Sequence, residues 1–144
     1  MHSIFEVKLQ SIINDITISE ETSENIRAVV AVIKCRDKYL IGLSTSKDDR
    51  QYKWTHAAGH VKRGETLEQT AIRESKEEFG VRVKVTSGPH KIQGKKDVVY
   101  FMCRTDTLQT PKINDEFVIA GWFRPKEMKG LKLYKNTQQL IDNK

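Results

Sequence analysis

Apolar residues along this chain fall in short runs separated by polar turns. IRAVVAVIK, residues 26–34, is mainly apolar and rich in Val and Ile, which predicts a buried strand. RDK at 36–38 turns the chain, and YLIGLST, 39–45, predicts the returning strand. SKDDRQ, 46–51, is a polar loop, and YKWTHAAG leads into a glycine-punctuated loop from Gly59 to Gly64. The period then becomes helical. Thr66 can cap a helix with Gln69 as its capping-box partner, so a helix is expected from about 67 to 79, stopped by Gly80. VRVKVT, 81–86, alternates and predicts a strand with one wet face, broken by Gly88-Pro89. DVVYFMCRT, 97–105, and FVIAGWF, 117–123, are further strands, with a loop from Pro111 to Glu116 between them. Pro125 opens a short helical stretch, and TQQLIDN near the end predicts a third. Residues 1–25 have an ambiguous period that suits a strand or a short helix. The pattern predicts an α/β fold of the α+β type, a mixed sheet with helices packed against it.

Composition narrows the class. The chain has 144 residues, 38% hydrophobic and 31% charged, which suits one folded domain over 1–144 and argues against disorder. The sequence has neither an apolar run of transmembrane length nor a basic-then-apolar leader at its N-terminus, so a cytoplasmic protein without a membrane partner is expected. Cys35 and Cys103 lie in strand-like runs and read as free buried thiols. The net charge of +6 suits phosphate-bearing ligands, small or polymeric. The lysine clusters at 91–96 and 124–135 read as solvated faces, because too few aromatics interleave them for a single-strand nucleic-acid platform.

The predicted helix makes the picture chemical. At about 100° per residue, Glu78 and Glu77 lie about 40° and 60° to either side of Glu74, so the three carboxylates share one face. Arg73 lies close enough to pair with Glu77, while Ile72 and Phe79 point the opposite way, with Ala71 and Ser75 between, toward the sheet. Like charges at this spacing repel, and they occupy the half of the helix where the macrodipole disfavours anions. A solvated acidic face is the plain explanation. The other is a divalent cation such as Mg²⁺ or Mn²⁺, whose preference is for hard oxygen ligands and phosphate.

The loop before the helix adds Gly59, Gly64 and Glu65. The stretch 59–81, with Gly59, Glu65, Arg73, Glu74, Glu77, Glu78 and Gly80 in place and Val81 as the closing aliphatic, resembles the Nudix box of the Nudix hydrolases. Ser75 stands where an aliphatic is usual. The resemblance implies an α/β/α sandwich around a mixed sheet. It implies hydrolysis of a phosphoanhydride in a nucleoside diphosphate derivative, dependent on Mg²⁺ or Mn²⁺. It also implies that Glu74, Glu77 and Glu78 bind metal, that Glu65 supports the site and that Arg73 orients the glutamates.

The chain departs from that pattern in places. Ala57-Ala58-Gly59 replaces Pro-Gly-Gly, Lys62 stands at an acidic position, and Ile119 occupies the place of a later glutamate, for which Glu116 or Asp115 can substitute as ligand or general base. His56 and His60 flank the glycine turn and are read as solvated or as touching substrate. Trp54 and Trp122 read as core, and Tyr52 and Phe101 as core or as the wall of a base pocket. At most one of Met102 and Cys103 faces such a pocket. Two function classes stay open: a small nucleotide pyrophosphohydrolase, with an RNA 5′ end as an alternative substrate, and a non-catalytic nucleotide- or RNA-binding module. A homodimer through residues 1–25 is a further option.

Overall fold

The computed structural model describes residues 25–142. The proposed role of the N-terminal segment in dimerisation therefore lies outside the described residues. Seven strands form one mixed sheet: β1 (Ala28–Cys35), β2 (Lys38–Ser44), β3 (Trp54–Thr55), β4 (Ala57–His60), β5 (Lys84–Lys91), β6 (Val98–Arg104) and β7 (Phe117–Phe123). Helix α1 (Leu67–Phe79) and helix α2 (Thr137–Asp142) flank it, with a 3-10 turn at Pro125–Gly130. The main path runs β3-β2-β1-β6-β5, with β4 also paired to β1 and β7 to β2. β1 and β6 are parallel and the other pairs antiparallel. A parallel pair needs a long crossover, and α1 lies within the one between β1 and β6.

The apolar run in β1 is continuous because both faces of the strand are covered. Val29, Ala31 and Ile33 face a core closed by Leu67, Ala71 and Phe79 of α1. Val32 joins Tyr39, Ile41 and Tyr100 on the opposite face, under Leu140 and Ile141 of α2. This is the expected α/β/α sandwich. Phe79 packs on Phe117 with ring centroids 4.8 Å apart. Cys35 and Cys103 are free and buried, as read from the sequence, while Met102 packs on the α2 side, opposite Cys103.

Local readings of the sequence need correction. β5 begins at Lys84, because Arg82 exchanges backbone hydrogen bonds with the Gln109 side chain at 3.0 and 2.9 Å instead of with a strand. Gly88-Pro89, a cis peptide, does not end β5; the strand passes through with two register shifts. Proline is tolerated there because β5 is an edge strand paired to β6 alone. Strands β3 and β4 occupy a stretch to which the sequence assigned no element, and β4 runs on through Gly59 and His60 into the expected Gly59–Gly64 loop. Ile72 is exposed, so the buried stripe of α1 runs through Leu67, Ala71, Ser75 and Phe79. Among the described residues no helix is long and apolar enough to cross a membrane.

Candidate active site

Helix α1 is fixed at both ends. Thr66 Oγ1 accepts from the Gln69 N–H at 3.0 Å, and Gln69 Oε1 accepts from the Thr66 N–H at 2.9 Å. Gly80 closes the helix with φ 67°, and its N–H donates to the Lys76 carbonyl at 2.9 Å. The rigid helix presents Glu74, Glu77 and Glu78 toward β4.

Arg73 ties the helix to the preceding loop. Its Nε donates to Glu65 Oε2 at 2.6 Å and its Nη2 to Glu65 Oε1 at 3.1 Å, a bidentate pair. Nη1 donates to Glu74 at 2.8 Å and Glu77 at 3.0 Å, and Nη2 also donates to the His60 carbonyl at 2.8 Å. Glu65 further accepts from the Lys62 N–H and from Thr70 Oγ1. The Arg73 hydrogen bonds, aided by Thr70 and the Lys62 amide, hold the Glu65 carboxyl down to about 2.

Glu78 has the opposite environment. It is 4% exposed and accepts from the Ala58 N–H at 2.9 Å. Burial pushes its carboxyl up to about 9, opposed by the Ala58 amide and reinforced by Glu74 and Glu116. Burial also raises Glu74, against the pull of Arg73. The structure thus brings Glu116 to the box glutamates. Asp115, the other candidate, offers its backbone carbonyl to Thr45 and is not among the residues lining the site. Ile119 is exposed on β7.

Gly59 is required by contact. A Cβ there would collide with the Glu74 side chain, so any larger residue at 59 forces the Glu74 carboxylate out of its place. Gly59→Ala is expected to displace Glu74 and destabilise the fold by about 1–3 kcal/mol. Calorimetry of the variant beside wild type measures this.

These groups line one end of a cavity of about 660 Å³. Arg50, His60, Lys62 and Lys95 bring positive or potentially positive groups to it. Arg50 is held by Asp48 at 3.0 Å and feels the Glu78 carboxylate. Sequence reasoning did not single out Arg50, since one arginine in a polar loop carries no motif. Neither Tyr52, 61% exposed, nor Phe101, in the core, lines the cavity. Trp54 and Trp122 pack against the two cores, as expected. His60 is exposed, whereas His56 is fully buried, contrary to a solvated loop histidine.

Among the described residues no three His, Cys, Asp or Glu side chains are arranged to hold a metal. Arg73 occupies Glu65, Glu74 and Glu77 in this conformation. The donor set itself is all oxygen, with two carboxyls whose affinity for a positive charge is raised by burial, which fits a hard divalent cation.

Residues 25–143 match the family model described as NUDIX domain. The chain belongs to the Nudix family. Hydrolysis of phosphoanhydrides is the general chemistry of Nudix proteins, and members typically use divalent metal ions. A curated relative, the NAD-capped RNA hydrolase NudC of Erwinia tasmaniensis, is 40% identical over 75 residues, 49% of this chain. The match spans 28% of that relative's length. Among solved structures, a Nudix-family hydrolase from Clostridium perfringens superimposes with TM-score 0.68 at 22% identity, covering 83% of this chain and 95% of that one. A C. elegans Ap4A hydrolase gives TM-score 0.66 at 21% identity, covering 81% and 94%. The Nudix domain of Shewanella oneidensis NrtR, solved with ADP-ribose, gives 0.64 at 19%, covering 82% and 84%. These three establish the shared fold.

Proposed function

We propose that this Nudix protein hydrolyses a phosphoanhydride bond in a small nucleoside diphosphate derivative. The observation that carries the reading is the set of carboxylates, Glu74, Glu78 and Glu116, gathered against one another at the end of a cavity that also holds Arg50 and Lys62. Glu74, Glu77 and Glu78 would hold Mg²⁺ or Mn²⁺. When bound, the cation neutralises the diphosphate and lowers the pKa of an attacking water. Glu65 and Arg73 fix the carboxylates, and Glu116, the acidic side chain nearest Glu78 outside the helix, is the best-placed proton acceptor. Arg50 and Lys62 would hold the phosphates.

The test is turnover with Mg²⁺ or Mn²⁺ on a panel of nucleoside triphosphates, nucleotide sugars, dinucleoside polyphosphates and RNA with a 5′ triphosphate. The relative's name adds NAD-capped RNA to the panel. Metal-dependent cleavage that disappears in Glu77→Gln, Glu78→Gln supports the reading. Mn²⁺ binding by electron paramagnetic resonance, weakened in the same variant, checks the site without turnover. Nucleotide binding without cleavage across the panel would favour the binding-module class instead. Arg50→Ala is expected to raise KM about tenfold with a smaller change in kcat, since phosphate contacts form before the chemical step. Steady-state kinetics on the best panel substrate separates the two.

A further inference from the structure

The far end of the cavity is built differently. Val30, Ile92, Val98 and Leu140 make it apolar, and His56, between β3 and β4, lines it with them. The His56 ring is 2% exposed. Its Nε2 lies 3.2 Å from the Thr137 carbonyl at the start of α2. A carbonyl can only accept, so Nε2 carries the proton. Burial pushes the imidazole down to about 4, opposed by the Thr137 bond, and the ring is neutral at pH 7. Nδ1 is then a bare lone-pair acceptor. Among the described residues it is the buried side-chain nitrogen or oxygen left without a partner.

An orphaned acceptor in a dry site is costly, and native proteins rarely keep one without use. Packing alone does not account for it, because Phe or Leu would fill such a position without an unsatisfied atom. Apolar walls joined by one buried, unpartnered acceptor suit a planar heterocycle that presents an N–H at its edge. We propose that His56 Nδ1 accepts a hydrogen bond from an N–H of the substrate's nucleobase, seated against Val30, Ile92, Val98 and Leu140. This rests on the nucleotide reading of the site. Because Nδ1 is closed to solvent, seating the base requires side-chain adjustment at that wall. The phosphates then extend toward Arg50 and the carboxylates, so one cavity reads the base at one end and reacts at the other.

The experiment is calorimetric binding of ADP, GDP, CDP and UDP to wild type, His56→Phe and His56→Asn, with melting curves to confirm that each variant is folded. Asn can restore an acceptor near Nδ1, whereas Phe keeps the plane and removes it. The tightest-binding diphosphate should lose about tenfold in affinity in His56→Phe and recover most of it in His56→Asn. If that ligand is ADP, CDP or UDP, its analogue without the base N–H (purine riboside, zebularine or 3-methyluridine diphosphate) should bind wild type about tenfold more weakly and be indifferent to His56→Phe. Tight binding that changes less than twofold in His56→Phe overturns the His56 assignment and leaves the nucleotide reading standing. Absence of binding by every diphosphate overturns both. If His56→Asn fails to fold, the Phe variant and the analogue decide.

Discussion

Glu78→Gln is expected to lower turnover by about a hundred- to a thousandfold while leaving the protein as stable as wild type or more so. The two effects have one cause. Glu78 is buried, and its carboxylate sits among Glu74 and Glu116 with one amide, Ala58 N–H, to compensate it. Gln keeps an oxygen to accept that amide and is neutral at every pH, so it escapes the cost of holding a buried carboxyl protonated well above its ordinary range. It also removes a carboxylate proposed above as a ligand for a divalent cation. A melting temperature unchanged or raised by about 2–4 °C, with activity gone, identifies a side chain kept for chemistry at the expense of stability. A Gln variant that melts lower and retains activity would make Glu78 a structural residue.

The pH dependence of stability gives the same test another reading. Glu78 has a folded value of about 9, well above the ordinary carboxylate value of 4.5. A raised carboxyl binds its proton more tightly in the native state. Its contribution is therefore complete below about 4.5 and is lost as pH rises toward 9. In EDTA, wild type should lose stability across that window, and Glu78→Gln should lose less. Denaturant melts at pH 5, 7 and 9 measure the slope. Added Mn²⁺ should recover stability at the alkaline end in wild type and less so in the variant.

Much of this architecture was legible because its signals are local. The limits of α1 follow from Thr66, Gln69 and Gly80, and the structure places the helix over Leu67–Phe79 as read. β7 likewise occupies Phe117–Phe123 as expected. The shared face of Glu74, Glu77 and Glu78 needs only the helical repeat, and the pairing of Arg73 with Glu77 follows from their spacing. What the sequence hid depends on tertiary partners. The edge position of β5 decides that Pro89 is tolerated inside a strand. The burial of His56 depends on α2, 81 residues away along the chain. Arg50 and Glu116 reach the carboxylates through loops whose path no periodicity reports. Ile72 looked inward by angle, yet the buried face of the helix is turned toward Thr70, Glu74 and Glu78 and leaves Ile72 outside it.

Arg73→Gln is expected to cost about 3–5 kcal/mol, the largest stability effect at the site. One guanidinium satisfies Glu65 twice, Glu74, Glu77 and the His60 carbonyl, and its side chain is 18% exposed. Glu65 and Glu74 are mostly buried, so neither recovers its lost partner fully from water. Arg73→Lys keeps the charge but not the fork, and an ammonium cannot reach Glu65 bidentately while bonding Glu74 and Glu77. It should fall between wild type and Gln. The same substitution exposes a competition within the site. Arg73 is a built-in cation that already pairs with Glu74 and Glu77, two of the carboxylates proposed to hold the metal. Removing it leaves more uncompensated negative charge, so Mn²⁺ should raise the melting temperature of Arg73→Gln by more than that of wild type. Thermal melts of wild type, Lys and Gln variants with and without Mn²⁺ resolve both effects. An equal metal-induced shift in all three would show that Arg73 positions the loop without sharing its carboxylates with the cation.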